Sequence, residues 1–131
     1  MKTLLLDVEN EKVEVIDIEP ELSEFYRVLN CDCIDIVRRC INGKWFDVMC
    51  DDEGLLKDHP KWSALCGSLE VMLVGNLLFL HHDDEGNPFG LDDDEIRFLK
   101  SQILMISVRG QRPYPILTDC EYFQNSSKCE L

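Results

Sequence analysis

The sequence predicts a single small α+β domain with a mainly antiparallel sheet and two helices, and three observations support this prediction. The chain has 131 residues, which is the size of one domain. Several short segments alternate apolar and polar residues as β-strands do, and two segments repeat apolar residues with the period of a helix. Hydrophobic residues make up 45% of the chain and charged residues 30%, so it can bury a core and is not expected to be disordered.

An N-terminal β-hairpin followed by a helix is the first predicted unit. Residues 3–8 are apolar enough for a buried strand, and residues 12–18 alternate as a strand with one exposed face does. A helix is expected over residues 20–29, because Pro20 suits its first turn and Asn30 its end. The apolar face of this helix comprises Leu22, Phe25, Tyr26 and Leu29, which recur at helical spacing.

A second hairpin is predicted from two strand-like segments with a tight turn between them. Residues 33–41 are rich in β-branched side chains, and residues 44–50 return as the partner strand. Asn42 and Gly43 lie between them, and this pair favours a two-residue turn whose central residues both need positive φ.

The middle of the chain is predicted to contain an irregular connection and then two short strands. Residues 55–68 form the connection, with a helical turn expected around residues 62–65. Residues 69–74 and 77–82 make up the most apolar block and are divided by a Gly-Asn pair. The following Asp-, Gly- and Pro-rich residues 83–90 are predicted to be a loop.

A second helix is predicted over residues 92–102. Asp92 can cap its start, and Glu95 stands at the position that completes a capping box. Leu91 can pack on Ile96 as a hydrophobic staple. With this helix the predicted order of elements is ββα-ββ-β(β)-α, which is typical of an α+β domain.

The remaining residues are predicted to form a less regular extension. Residues 103–108 are compatible with a strand or with the end of the helix, and residues 116–123 with one added strand. Two prolines interrupt any regular element between these segments. We therefore expect an α+β domain over residues 1–104 and an irregular C-terminal extension over residues 105–131.

The charge balance limits the classes of partner. The chain has 26 acidic and 13 basic residues and a formal net charge of −13. Proteins that bind nucleic acid through phosphate contacts depend on clustered Lys and Arg, so this class is nearly excluded, and docking on an anionic membrane is disfavoured for the same reason. The N-terminus lacks the apolar region of a signal peptide, and the most apolar block, residues 69–80, is too short to span a bilayer. A cytoplasmic protein is expected.

The cysteines and histidines do not predict a metal site. A structural zinc site usually needs two close pairs of ligands, and the only close cysteine pair is Cys31 and Cys33. Neighbouring side chains in a strand point to opposite faces, so His81 and His82 cannot easily share a metal. Cys129 is expected to be exposed and free. The cysteines expected in strands or in the core are Cys33, Cys40, Cys50 and Cys66.

No motif for catalysis or for cofactor binding is present in the sequence. It contains no nucleophile elbow, no phosphate-binding loop and no dinucleotide fingerprint. The acidic turn at residues 51–54 lacks the alternating ligands of a calcium loop. We therefore predict no catalytic residues, no metal ligands and no cofactor.

Clustered acidic residues are the candidate partner-binding site. Residues 83–95 hold seven acids and no base, and residues 1–36 carry a net charge of −7. Some of these acids suit a helix start and others solubility, which is one interpretation. In the other, the acids imitate nucleic-acid phosphates and occupy a basic groove of a partner. The candidate residues are Asp51, Asp52, Glu53, Asp83, Asp84, Glu85, Asp93 and Asp94.

The order of several motifs resembles the small family catalogued as domain of unknown function 3846. The matching features are the first strand (residues 1–6), Val-Glu-Val-Ile-Asp (13–17), Cys-Ile-Asp-Ile-Val (33–37), Cys-Asp-Asp-Glu-Gly (50–54), Val-Gly-Asn-Leu-Leu-Phe-Leu (74–80) and Gly-Leu-Asp-Asp-Asp-Glu-Ile (90–96). The resemblance covers residues 1–104. It implies a compact α+β domain from bacteria, phages or conjugative elements, and it implies no catalytic residues.

The leading functional hypothesis is a non-enzymatic interaction protein of a phage or mobile element. It would bind and inhibit a basic, nucleic-acid-handling defence protein of the host, such as a restriction or CRISPR effector, through its acidic face. The first alternative is a protein that binds or sequesters a small ligand or a nucleotide signal, and the second is an enzyme. A homodimer through a strand edge is left open. Aromatic residues that could line a ligand pocket are Trp45, Phe46, Trp62, Phe79 and Tyr114.

Overall fold

The structure is a computed structural model that describes residues 1–54, 60–107, 109–110 and 112–121. Within these residues it contains two helices and mostly antiparallel strands, so the predicted α+β class is confirmed. The helices are α1 (Leu22–Leu29) and α2 (Asp93–Ser101). The strands are β1 (Lys2–Asp7), β2 (Lys12–Asp17), β3 (Ile34–Ile41), β4 (Lys44–Asp51), β5 (Trp62–Leu65), β6 (Val71–Val74), β7 (Leu77–His82), β8 (Pro88–Phe89), β9 (Ile103–Ile106), β10 (Tyr114–Leu117) and β11 (Cys120–Glu121).

Two sheets and two helices form three layers. The larger sheet has the strand order β11-β3-β4-β7-β1-β2, with β8 paired to β7, and the smaller sheet has the order β6-β5-β10-β9. Because successive side chains of a strand point to opposite faces, each central strand of the larger sheet contributes to two cores. One core holds apolar residues of α1 against β1, β4 and β7. The other lies between the larger sheet, the smaller sheet and α2.

Both predicted hairpins are confirmed. β1 and β2 pair antiparallel from Lys2 opposite Asp17 to Asp7 opposite Lys12. β3 and β4 pair antiparallel over their whole length and are joined at Asn42 (φ 43°) and Gly43 (φ 95°). Positive φ at both positions is the conformation that this pair of residues tolerates best, and it fixes the register of the two strands.

Both helices end and begin near the predicted residues. α1 starts at Leu22, two residues later than predicted. It ends at Leu29 and is capped by Asn30, which adopts the left-handed conformation (φ 53°). The capping box of α2 is confirmed, because Asp92 accepts a hydrogen bond from the Glu95 amide and Glu95 accepts one from the Asp92 amide. The first helical turn is therefore held by side chains at both ends of the box.

The prediction of a helical turn around residues 62–65 is wrong, since these residues form β5. β5 pairs antiparallel with β6 and parallel with β10, with Ala64 opposite Leu117. Pairing with a strand late in the chain overrides the turn-like local sequence, because both neighbours satisfy the hydrogen bonds of β5. Residues 55–59 of the predicted connection lie outside the described residues.

Three short strands follow α2 within the described residues. Residues 103–106 form strand β9 rather than the end of the helix, and the predicted loop before α2 contains the short strand β8. β10 is buried at all four positions and lies between β5 and β9, while β11 adds to the edge of the larger sheet beside β3. The described strands β9 and β10 therefore belong to the smaller sheet, and β11 belongs to the larger one. Residues 122–131, with Cys129, lie outside the described part of the chain.

Candidate functional site

The structure separates the eight predicted partner-binding acids into two groups at opposite ends of the larger sheet. β4 and β7 run antiparallel, with Asp47 opposite Leu80. Asp51–Glu53 come at the end of β4 and Asp83–Glu85 follow the end of β7. At ~3.3 Å per residue the two groups are roughly 20 Å apart along the strands. One partner contact covering all eight acids would have to span the length of the sheet.

The turn after β7 uses part of its acidic charge to hold its own backbone. One carboxylate oxygen of Asp83 accepts hydrogen bonds from the amides of Glu85 and Asn87, each at 2.9 Å. The Asn87 amide is the largest cause that holds the pKa of Asp83 below its usual value. Asp83 is therefore a turn-forming residue, and the neighbouring exposed residues Asp84 and Glu85 remain available to a partner.

The start of α2 lies at the same end of the sheet as this turn, but its acids are partly neutralised. His81, at the end of β7, contacts the Glu95 carboxylate in the first turn of α2. The exposed residues Asp93 and Asp94 pair with Lys2 and Arg97 respectively. The ion pair with Lys2 lowers the pKa of Asp93. The structure thus brings Asp83, Asp84, Glu85, Asp93 and Asp94 to one end, which we call the acidic end.

A groove of about 600 Å³ lies between α1 and the hairpin of β1 and β2, and most of its charged side chains are acidic. Asp7 is buried and accepts two hydrogen bonds from Asn10, a neutral partner, at 3.0 and 2.9 Å. Arg27 is the basic residue of the groove, and its guanidinium is held by Glu24 at 2.7 Å. The acids that line this groove are Asp7, Glu9, Glu14 and Asp17.

A second groove, of about 530 Å³, lies on the other side of Arg27, which together with Asn30 lines both grooves. It is lined by Asp32, Asp51 and Glu53. The hydrogen bond with the Glu53 carboxylate raises the pKa of the Cys33 thiol, which shows that the acid of the turn reaches the segment before β3. We call these two depressions the α1 grooves. Their linings place Asp51 and Glu53 near acids of the N-terminal segment.

Of the acids that line the α1 grooves, sequence reasoning selected Asp51 and Glu53 but not the others. The only signal for the others was the net charge of −7 over residues 1–36. These acids come from the hairpin of β1 and β2, including its turn, and from the segment after α1, so their proximity depends on how α1 packs on the sheet. A charge count along the chain cannot show this proximity.

The two adjacent histidines point to opposite faces of the larger sheet, as predicted from strand geometry. His81 packs between Phe46 and Phe89, with ring centroids 5.4 Å apart in both cases. His82 contacts the carboxylate of Asp47, which is 2% exposed and also lies 3.5 Å from Arg38. Sequence reasoning missed this pair of Asp47 and His82.

A histidine oriented by a buried carboxylate is an arrangement that general bases use. Its other requirement is a substrate site beside the free ring nitrogen, and neither of the α1 grooves includes His82. No group of three or more His, Cys, Asp or Glu side chains that could hold a metal is present among the described residues. Within the larger sheet, Asp47 links β4 to β7 through His82 and to β3 through Arg38.

The aromatic residues considered for a ligand pocket do not converge. Phe46, Phe79 and Tyr114 are buried in the core between the sheets. Trp62 is 48% exposed on β5, and Trp45 lies beside the Arg38 guanidinium at 5.5 Å. Core packing is therefore the role of the three buried rings.

Three of the four cysteines expected in the core are buried, and the fourth is not. Cys40, Cys50 and Cys66 are buried as predicted, and burial raises the pKa of Cys50 to about 11. Cys33 is exposed, because β3 begins at Ile34 and Cys33 lies in the bend before it. The predicted strand began one residue too early, so the prediction for Cys33 was wrong.

In the described part of the chain neither α1 nor α2 has the length and apolar character needed to cross a bilayer.

Comparisons with known proteins identify the family. No curated protein and no solved structure matches the chain. The family model described as Domain of unknown function (DUF3846) matches residues 1–104, that is, the chain from β1 into β9. The protein therefore belongs to the DUF3846 family.

Proposed function

We propose that this protein is a non-enzymatic interaction protein of a phage or mobile genetic element that binds and inhibits a nucleic-acid-handling defence protein of its host. The partner would be a restriction or CRISPR effector whose basic groove normally holds nucleic acid. The acidic residues of this chain would occupy that groove in place of phosphates. The observation that carries the proposal is the pair of adjoining α1 grooves, where the described lining residues include seven acids and one arginine, Arg27.

The charge of the α1 grooves supports a basic partner. Arg27 is already paired with Glu24, so it does little to offset the acids around it. Duplex DNA carries one charge per ~1.7 Å, and a small protein approaches such a density only where acids of different segments converge. A depression lined by acids can admit Lys and Arg side chains of a partner, which a flat acidic surface cannot enclose. The acidic end would add long-range attraction, which speeds association.

Binding to a purified restriction endonuclease and a purified CRISPR effector tests the proposal. Asp32→Lys with Glu53→Lys reverses two exposed acids that line the second groove, without touching Asp83 or the helix cap. The matched control is Asp84→Lys with Glu85→Lys at the acidic end. We expect the groove variant to weaken binding at least tenfold, or by more than about 1.4 kcal/mol.

The salt dependence of binding and its competition by nucleic acid can contradict the proposal. Affinity should fall as salt rises, and the effector's own DNA or RNA should compete with this protein for binding. Unchanged affinity in both variants, or binding that nucleic acid does not displace, would contradict occupation of a phosphate-binding groove. A larger loss in the control variant would move the contact to the acidic end.

The volume of the first groove favours a small cationic ligand as a second candidate. About 600 Å³ lies within the ~300–1,000 Å³ range of small-molecule sites. The acids that line this groove repel phosphates, so a nucleotide signal fits less well than a diamine or polyamine. Native mass spectrometry of the purified protein, with spermidine as the added probe, distinguishes the two. Retained spermidine that Glu14→Gln releases would support this candidate.

A further inference from the structure

Strand β9 is an exposed apolar edge of the smaller sheet. It is the last strand in the order β6-β5-β10-β9, so one of its edges is unpaired within the part of the chain that the structure describes. Leu104 is 56% exposed and Met105 is 59% exposed. β9 carries no charged residue, whereas the edge strand of the larger sheet, β2, carries Lys12, Glu14 and Asp17. Charges on an edge strand discourage pairing with other chains, and β9 lacks them.

The pairing of β9 with β10 shows which residues of β9 direct their backbone N–H and C=O groups toward the free edge. The Thr118 amide donates to the Gln102 carbonyl at 3.0 Å. Residues of an antiparallel pair alternate in whether their backbone groups face the partner strand. Leu104, two residues after Gln102, therefore faces β10, and Met105 directs its N–H and C=O toward the free edge. Pro115 opposite Met105 agrees with this phase, because proline has no N–H to donate.

The segments that precede and follow β9 in sequence are basic in an otherwise acidic protein. Residues 96–118 contain four basic residues and no acid, in a chain with a net charge of −13. Arg97 pairs with Asp94 one turn earlier in α2, and Arg112 pairs with Glu11. Lys100 and Arg109 are exposed and have no carboxylate partner among the described residues. These two cations precede and follow β9 in the chain, so the strand is flanked by positive charge in sequence.

We propose that β9 is a docking edge for an extended, acidic segment of a partner protein, which adds to the smaller sheet as a further strand. The free backbone groups of β9 would pair with the segment, Leu104 and Met105 would contact its apolar side chains, and Lys100 and Arg109 would meet its acids. A second copy of this chain fits less well, because antiparallel pairing of two β9 strands brings Lys100 of one copy to the end that carries Arg109 of the other. This surface is separate from the α1 grooves and has the opposite charge.

Two panels of synthetic peptides test the docking edge on the full chain. All peptides alternate Val, Ile or Phe with Thr at the inner positions, and the panels differ only in Glu or Lys at both ends. Met105→Pro removes the outward N–H without removing a bond of the β9–β10 ladder. Lys100→Glu with Arg109→Glu reverses the flanking charge and leaves the strand unchanged. Fluorescence anisotropy measures binding, and circular dichroism confirms that each variant is folded.

The expected results distinguish pairing of the peptide with the β9 edge from the effect of the flanking charges and from self-association of the protein. Glu-ended peptides should bind at least tenfold tighter than Lys-ended ones, Met105→Pro should weaken binding at least tenfold, and the charge reversal should invert the preference. Amide exchange at Met105 should slow when peptide is bound. No preference between the panels, no binding at millimolar peptide, or equal binding by a folded Met105→Pro variant overturns the proposal. A dimer in sedimentation velocity that Met105→Pro dissolves would assign the edge to a second copy and also overturn it.

Discussion

Replacing Gly90 with alanine should destabilise the fold by about 3 kcal/mol, because the backbone of β1 occupies the space that a side chain would need. An ideal Cβ on Gly90 would lie 2.8 Å from the Lys2 nitrogen and closer still to the Lys2 carbonyl oxygen. Overpacking against a backbone that cannot move freely costs about 1–3 kcal/mol. The Leu91 amide also donates to the Lys2 carbonyl at 2.7 Å, and losing that bond adds about 1 kcal/mol.

Gly86→Ala is the matched control for this substitution. Gly86 has φ +86° and nothing within 4 Å of an added Cβ, so alanine there meets backbone strain but no contact. The expected loss for Gly86→Ala is about 1 kcal/mol. Urea unfolding followed by tryptophan fluorescence measures the free energy of unfolding of both variants. In thermal unfolding, a loss of about 3 kcal/mol should lower Tm by roughly 10 °C. If Gly90→Ala loses no more stability than Gly86→Ala, the close approach of β1 to the entry of α2 is refuted.

Three further predictions concern individual carboxylates. Asp92→Ala should destabilise the protein by about 1 kcal/mol in urea unfolding and Asp92→Asn by only a few tenths, because asparagine also caps a helix. Glu53→Gln should lower the raised pKa of Cys33, so more thiolate forms at mildly alkaline pH and iodoacetamide labels Cys33 faster, as peptide mass mapping would show. Asp47→Asn should cost about 2 kcal/mol in urea unfolding, against less than about 0.5 for the exposed control Asp84→Asn, because it removes the charge of a buried carboxylate that contacts His82 and lies 3.5 Å from Arg38.

Elements whose signals lie within a few neighbouring residues were predictable from the sequence. The turn at Asn42 and Gly43 and the capping box of Asp92 and Glu95 are specified by backbone preferences and side-chain bonds that span at most four positions. β5 was missed because its strand conformation depends on pairing with β10, which a local reading of its own residues cannot show.

The acidic character of the candidate site was predictable from the sequence, but its position in the fold was not. The acids of the turn after β7 cluster in sequence, yet Asp83 serves its own turn and Asp93 pairs with Lys2. Asp7 and Asp32 were not selected, although α1 brings their segments into adjoining grooves. Convergence of acids from separate segments depends on tertiary packing, so a count along the chain underestimates it.

The pairing of β10 with β5 and of β11 with β3 has a consequence for the order of folding. During synthesis, residues 1–104 can form the hairpins of the larger sheet early, because these contacts are local. The smaller sheet cannot close until β10 has been made, since β10 lies between β5 and β9. Closing these long loops is slow, and until then the apolar edge of β5 is open to other chains. Folding of the nascent chain should therefore be completed late, as β10 and β11 take their places in the two sheets.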